Sequence, residues 1–224
     1  MSKVRQLMVQ IERDLDASTY HVGDWQKCLS EFRDLDRATR AILTEDLTRI
    51  SNKLHRRNGF HEAPTWMGFV LEYLLLATSI LMMTAESTLL RFISIILLVS
   101  CLQPLIKISM GTLLGVRYSY AYLWYVEPRF KMSFGTYQKL KKWQKVVLQL
   151  IGSIGTPLAL FAGYYVLSDE PQLVMLFLAA ALLAAIMQLS AFVASWLGVR
   201  KLGPFLLSNL TTPALLAKEL KDRP

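Results

Sequence analysis

Cysteine and histidine are scarce in this 224-residue sequence: two cysteines, Cys28 and Cys101, and three histidines, His21, His55 and His61. One cysteine lies in a polar region and the other inside an apolar run, so no structural disulfide between them is expected. No CxxC or Cys/His spacing suggests a metal, and the histidines form no HxxxH or HxxHH cluster. His55 and His61 stand beside arginines and Glu62, the setting of surface residues. GxSxG, Walker, HExxH and zinc spacings are missing too. The chain therefore reads as leaning away from an enzyme, with no catalytic residue, no metal and no cofactor expected. The first residues, MSKVRQLMVQIERD, lack the apolar core and cleavage site of a secretory signal, and their acids argue against a transit peptide.

Charge is the other shortage. Charged residues make up 19% of the chain, against about a quarter in ordinary soluble domains. The deficit is local. Residues 1–60 hold 11 of the 25 Lys+Arg and 9 of the 17 Asp+Glu, whereas 66–115 hold only Glu72, Glu86, Arg91 and Lys107. Four apolar runs fill the poor regions: 66–85, 88–110, 146–167 and 171–198. Each has the roughly 20 apolar residues that a helix needs to cross about 30 Å of hydrocarbon. AEST joins the first two and SDEP the last two, which predicts two helical hairpins. Soluble core helices in such numbers would leave too little polar surface to cover them.

Orientation follows from the flanking bases. Lys53, Arg56 and Arg57 precede the first run. Seven Lys and Arg lie between the hairpins, and Arg200 and Lys201 follow the last run. Both termini and the middle loop are expected on the cytoplasmic side, with Trp66, Trp143 and Trp196 at that boundary. The net charge of +8 sits beside apolar segments, so it points to anionic lipid and topology, not nucleic acid. The membrane is a bacterial inner membrane or an organelle membrane such as the endoplasmic reticulum.

In the N-terminal region, apolar residues from Trp25 to Leu54 recur at helical spacing. This predicts one long helix over 25–57, started near Asp24 and stopped by Asn58-Gly59, with the segment from Val4 to Leu15 folding back on it. Its apolar stripe would contact a partner protein or a second copy, or else only that first helix.

Polar side chains inside spans are costly and mark function by default. Folding each hairpin about its linker brings Glu72 level with Cys101 to Gln103, with Lys107 one turn away, and Gln149 level with Gln188. The cluster Glu72, Gln103, Lys107, Gln149 and Gln188 is thus either a polar cavity or a set of mutually satisfied interhelical contacts. Arg91 is expected to snorkel to the far interface. Gly152, Gly155, Ala159 and Gly163 suit close helix packing.

The middle loop mixes aromatics with bases. Its YSYAYLWY portion is expected to continue the second span as an interfacial helix that Glu127-Pro128 breaks. Arg117, Arg129 and Lys131 are the candidate ligands for a lipid phosphate.

The expected architecture is an all-α integral membrane protein. It comprises a cytoplasmic helical region (1–60), a first transmembrane hairpin (66–110), a basic aromatic loop (111–145), a second hairpin (146–198) and a cytoplasmic tail (199–224). The function it favours is an accessory or scaffold protein binding anionic membrane lipid and a partner protein through its cytoplasmic face. Two alternatives stand beside it: an enzyme modifying a phosphate-bearing lipid, with Glu72 or Glu127 as acid/base, and an oligomeric channel or ion carrier lined by Glu72.

Overall fold

The computed structural model describes residues 2–21, 23–124, 127–199, 201–202, 205–206 and 211–221. Three amphipathic helices open the chain: α1 (Ser2–Asp16), α2 (Asp24–Arg33) and α3 (Arg37–Arg56). Their apolar stripes close on one another. Val4, Met8 and Ile11 of α1 meet Cys28 and Phe32 of α2 and Leu43, Leu47 and Ile50 of α3 in a single core. Ion pairs Lys3–Glu31 (2.5 Å) and Arg49–Glu12 (3.0 Å), together with Lys53–Asp16, rim it.

The single helix expected over 25–57 is in fact two. Asp36 caps α3, its carboxylate accepting from the Thr39 amide (3.0 Å) and hydroxyl (2.6 Å). A capped start competes with continuing the previous helix, because it satisfies amide groups that would otherwise lack partners. The break lets the stripe be covered from within the chain, by α1 and by α2 itself.

Four later helices are long and apolar enough to cross a membrane: α4 (Thr65–Met83), α5 (Thr88–Leu113), α7 (Lys142–Val166) and α8 (Pro171–Trp196). Large apolar side chains such as Leu74, Leu81, Ile96, Leu158, Leu182 and Leu189 are exposed on them. Exposed apolar surface on that scale suits lipid tails and not water. The helices pack in the row α4, α5, α7, α8. Ser79 donates to the Ser94 carbonyl (2.8 Å) between α4 and α5, and the Thr156 hydroxyl donates to Gln103 between α5 and α7. At the α5–α7 crossing a Cβ on Gly155 would lie 2.5 Å from the Gln103 Cα, so only glycine allows this approach.

Arg91, expected to reach the far interface, is tied to the α7–α8 junction. Its guanidinium forks onto both oxygens of Asp169 (2.7 Å each) and donates to the Val166 carbonyl (3.0 Å). Thr88 adds a bond to Glu170 (3.1 Å). A planar fork matched to a carboxylate binds it bidentately, so α5 is fastened to the segment joining α7 and α8.

The expectation of an all-α chain needs amendment. The fold is mostly helical, but β1 (Glu62–Ala63), β2 (Tyr118–Trp124) and β3 (Glu127–Met132) form an antiparallel sheet in that order. The segment expected as an interfacial helix is β2. Tyr118, Tyr120 and Tyr122 alternate with Ser119, Ala121 and Leu123, the period of a strand, and β-branched and aromatic residues favour it. Tyr122 pairs with Arg129, and the register shifts between Tyr118 and Tyr120. One side of the sheet lies on α4, where Gly68 leaves room for Ala121 and Phe130. The other side lies on α3 through His55.

A short helix, α6 (Phe134–Gln138), follows β3, and its Phe134 joins the N-terminal core beside Trp25 and Phe32. After a two-stranded pair, β4 (Lys201–Leu202) with β5 (Phe205–Leu206), the region expected as a tail supplies α9 (Thr211–Lys221), which packs on α7 and α8.

Candidate functional site

Where the sheet meets the end of α5, a cavity of about 240 Å³ opens. Gln103, Pro104, Lys107 and Ile108 of α5 form one wall. Tyr118, Tyr122, Arg129, Phe130 and Met132 of the sheet form a second, and Thr212 and Leu215 of α9 complete it. The polar groups have defined supports. The Lys107 ammonium donates to the Thr212 hydroxyl (3.3 Å), and its aliphatic stem lies over Gly152. The Tyr118 hydroxyl donates to the Lys107 carbonyl (3.3 Å), and burial pushes its pKa above the usual phenol value. Among the described residues the cavity lining contains two cations, an amide and three hydroxyls, but no carboxylate and no imidazole.

Three residues singled out from the sequence thus line one space: Gln103, Lys107 and Arg129. The others are elsewhere. Glu72 is fully buried on α4, within electrostatic reach of Cys101, and is not among the lining residues. Gln149 is also fully buried. Its amide donates to the Tyr137 hydroxyl (3.2 Å), which in turn donates to Glu219 (2.6 Å). Gln188 faces a separate apolar cleft of about 540 Å³ among α7, α8 and α9, beside Pro157, Phe192 and Leu216. Its amide oxygen there has no hydrogen-bond partner among the described residues.

The basic trio of the loop also divides. Arg129 reaches the cavity. Lys131 points to α3, donating to the Ser51 hydroxyl (2.9 Å), and burial lowers its pKa to about 8. The Arg117 side chain is exposed, and its backbone amide donates to Thr136 (3.0 Å). The Glu127 side chain lies outside the described residues.

Lys131 belongs to a second polar group behind the sheet. His55 Nδ1 lies 2.9 Å from the Tyr120 hydroxyl, and the His55 ring packs edge-on to Tyr122 (4.5 Å). Burial first, then the charge of Lys131, lowers the His55 pKa to about 4.

Sequence reasoning missed Tyr118, Tyr122, Thr212 and Leu215. The first two were legible in the alternation of the tyrosines. The last two had a signal in Thr-Thr-Pro ahead of Leu215, Leu216 and Leu220, a capping residue and a first-turn proline before an apolar stripe.

No protein-family model, no curated protein and no solved structure matches the chain.

Proposed function

We propose that the chain is a multi-pass membrane protein with two helical hairpins, both termini cytoplasmic, whose cavity holds the phosphate of an anionic lipid. It acts as a binding or scaffold subunit, not as a catalyst. The observation that carries this reading is the convergence of Lys107 and Arg129, from two separate elements, on one cavity at the end of a membrane-length helix. Arg offers a planar fork and Lys a point charge, the two usual modes of holding phosphate. A volume of about 240 Å³ falls below the usual range of small-molecule sites, about 300–1,000 Å³. It suits one headgroup phosphate whose acyl chains stay outside. The described lining pairs two cations with hydroxyl and amide groups, donors that suit holding a phosphate.

Native mass spectrometry of the detergent-extracted chain tests it. Wild type retains anionic phospholipid. Lys107→Ala with Arg129→Ala retains at least tenfold less, while circular dichroism reports the same helix content. Hydrogen bonds to charged groups contribute about 1.5–3 kcal/mol each, and about 1.4 kcal/mol is tenfold. Equal lipid occupancy in the two proteins overturns the proposal.

A further inference from the structure

A second and larger cavity, of about 570 Å³, lies between the N-terminal helices and the start of α7. Five cations line it from four elements: Arg33 of α2, Arg40 of α3, Lys142 and Lys145 of α7, and Lys218 of α9. Among the described residues Glu219 is the one carboxylate in the lining, and it is already engaged. It accepts from the Tyr137 hydroxyl at 2.6 Å and lies 4.0 Å from the Lys145 ammonium, which also sits over the Tyr137 ring. The side chains of Arg33, Arg40 and Lys142 make no hydrogen bond or ion pair among the described residues. Like charges held around one space repel, and low-dielectric walls such as Phe32, Phe134 and Leu215 focus their field into it. The first turn of α7, a 25-residue helix, also faces this space through Lys142 and Lys145. The positive end of that helix's dipole adds to the potential.

We propose that this cavity binds a ligand carrying two or more phosphate groups, either a free polyphosphate or the multiply phosphorylated headgroup of a lipid. A phosphate monoester carries about −1.5 to −2 at neutral pH, so one group leaves the combined charge of Arg33, Arg40 and Lys142 only partly neutralised. The larger volume accommodates more than one. The site is independent of the lipid-phosphate cavity. Among the described residues the two linings share only Leu215, with Thr212 lining the first cavity near the start of α9 and Lys218 and Glu219 lining the second near its end.

The test uses the full chain in two kinds of nanodisc. In discs of phosphatidylcholine alone it is titrated with inorganic tripolyphosphate. In a second set, phosphatidylinositol bisphosphate is added and its binding measured. Binding of tripolyphosphate identifies a free ligand, and binding of the inositol lipid alone identifies a lipid headgroup. In either case Arg40→Ala with Lys218→Ala weakens binding at least tenfold. The charge-matched control Arg5→Ala with Lys139→Ala, and Arg129→Ala in the other cavity, change it less than threefold. Failure of both probes to bind overturns the proposal, as does equal weakening by the charge-matched control. Loss through Arg129→Ala alone removes this site while leaving the lipid-phosphate cavity in place.

Discussion

His55 shows how one side chain can carry a pH dependence for the region beneath the sheet. It is packed among Tyr120, Tyr122 and Phe60, with Lys131 and Arg56 as neighbouring cations and Glu62 as the opposing acid. Its folded pKa is about 4, against about 6.5 when exposed. The unfolded chain therefore binds a proton that the folded chain refuses between those values. The stability that neutral His55 contributes is fully present above about pH 6.5 and is lost as pH falls toward 4. The thermal midpoint in detergent should fall over that window in wild type and fall less in His55→Gln. An identical slope in both would show that other groups set the acid response. The same crowding sets Lys131 apart from the cavity that Arg129 lines. Sequence spacing put it two residues from Arg129, but which element covers each side chain depends on tertiary packing that no local pattern encodes.

At the scale of elements, long apolar runs were readable because length and composition alone set the requirement for a membrane span. The sheet was less readable, since a short aromatic-basic stretch beside a span satisfies both an interfacial helix and a strand; the alternation of Tyr118, Tyr120 and Tyr122 was the deciding feature. The break at Asp36 was masked by an apolar stripe that continues in phase on both sides of it. α9 escaped notice because eleven residues with one apolar stripe cannot by themselves announce a docking site on α7 and α8. The glycines of α7 give a graded prediction. A Cβ at Gly155 would meet the Gln103 backbone at 2.5 Å, whereas at Gly163 it would meet Cγ of the Phe177 side chain at 2.7 Å, which a change of χ1 can move without shifting a helix backbone. Gly155→Ala should cost about 1–3 kcal/mol, in the range of overpacked cores, and Gly163→Ala less. Thermal midpoints of the two variants, measured in one detergent, check the order. A smaller loss for Gly155→Ala would contradict the close α5–α7 crossing.

Across the whole molecule, α5 is fastened at one end to the α7–α8 junction by Arg91, Asp169, Thr88 and Glu170. The hydrogen bonds from Arg91 hold the Asp169 pKa below the usual carboxylate value. That contribution is present above the ordinary carboxylate pKa and disappears as pH falls through the lowered one. Arg91→Ala and Asp169→Asn should each lower the thermal midpoint at neutral pH. The double variant should lose no more than the more affected single, because the two side chains act as a unit. Strict additivity of the two losses would show that they act separately.

A pair of tongs riveted at one end can open only at the other. With α5 pinned to the α7–α8 junction, any spreading of the helices pivots there and grows with distance from it. The greatest travel then falls past the close Gln103–Gly155 crossing, at the Lys107 end of α5 beside the sheet and α9. A guest arriving from the lipid would be admitted at that end, without disturbing the riveted one.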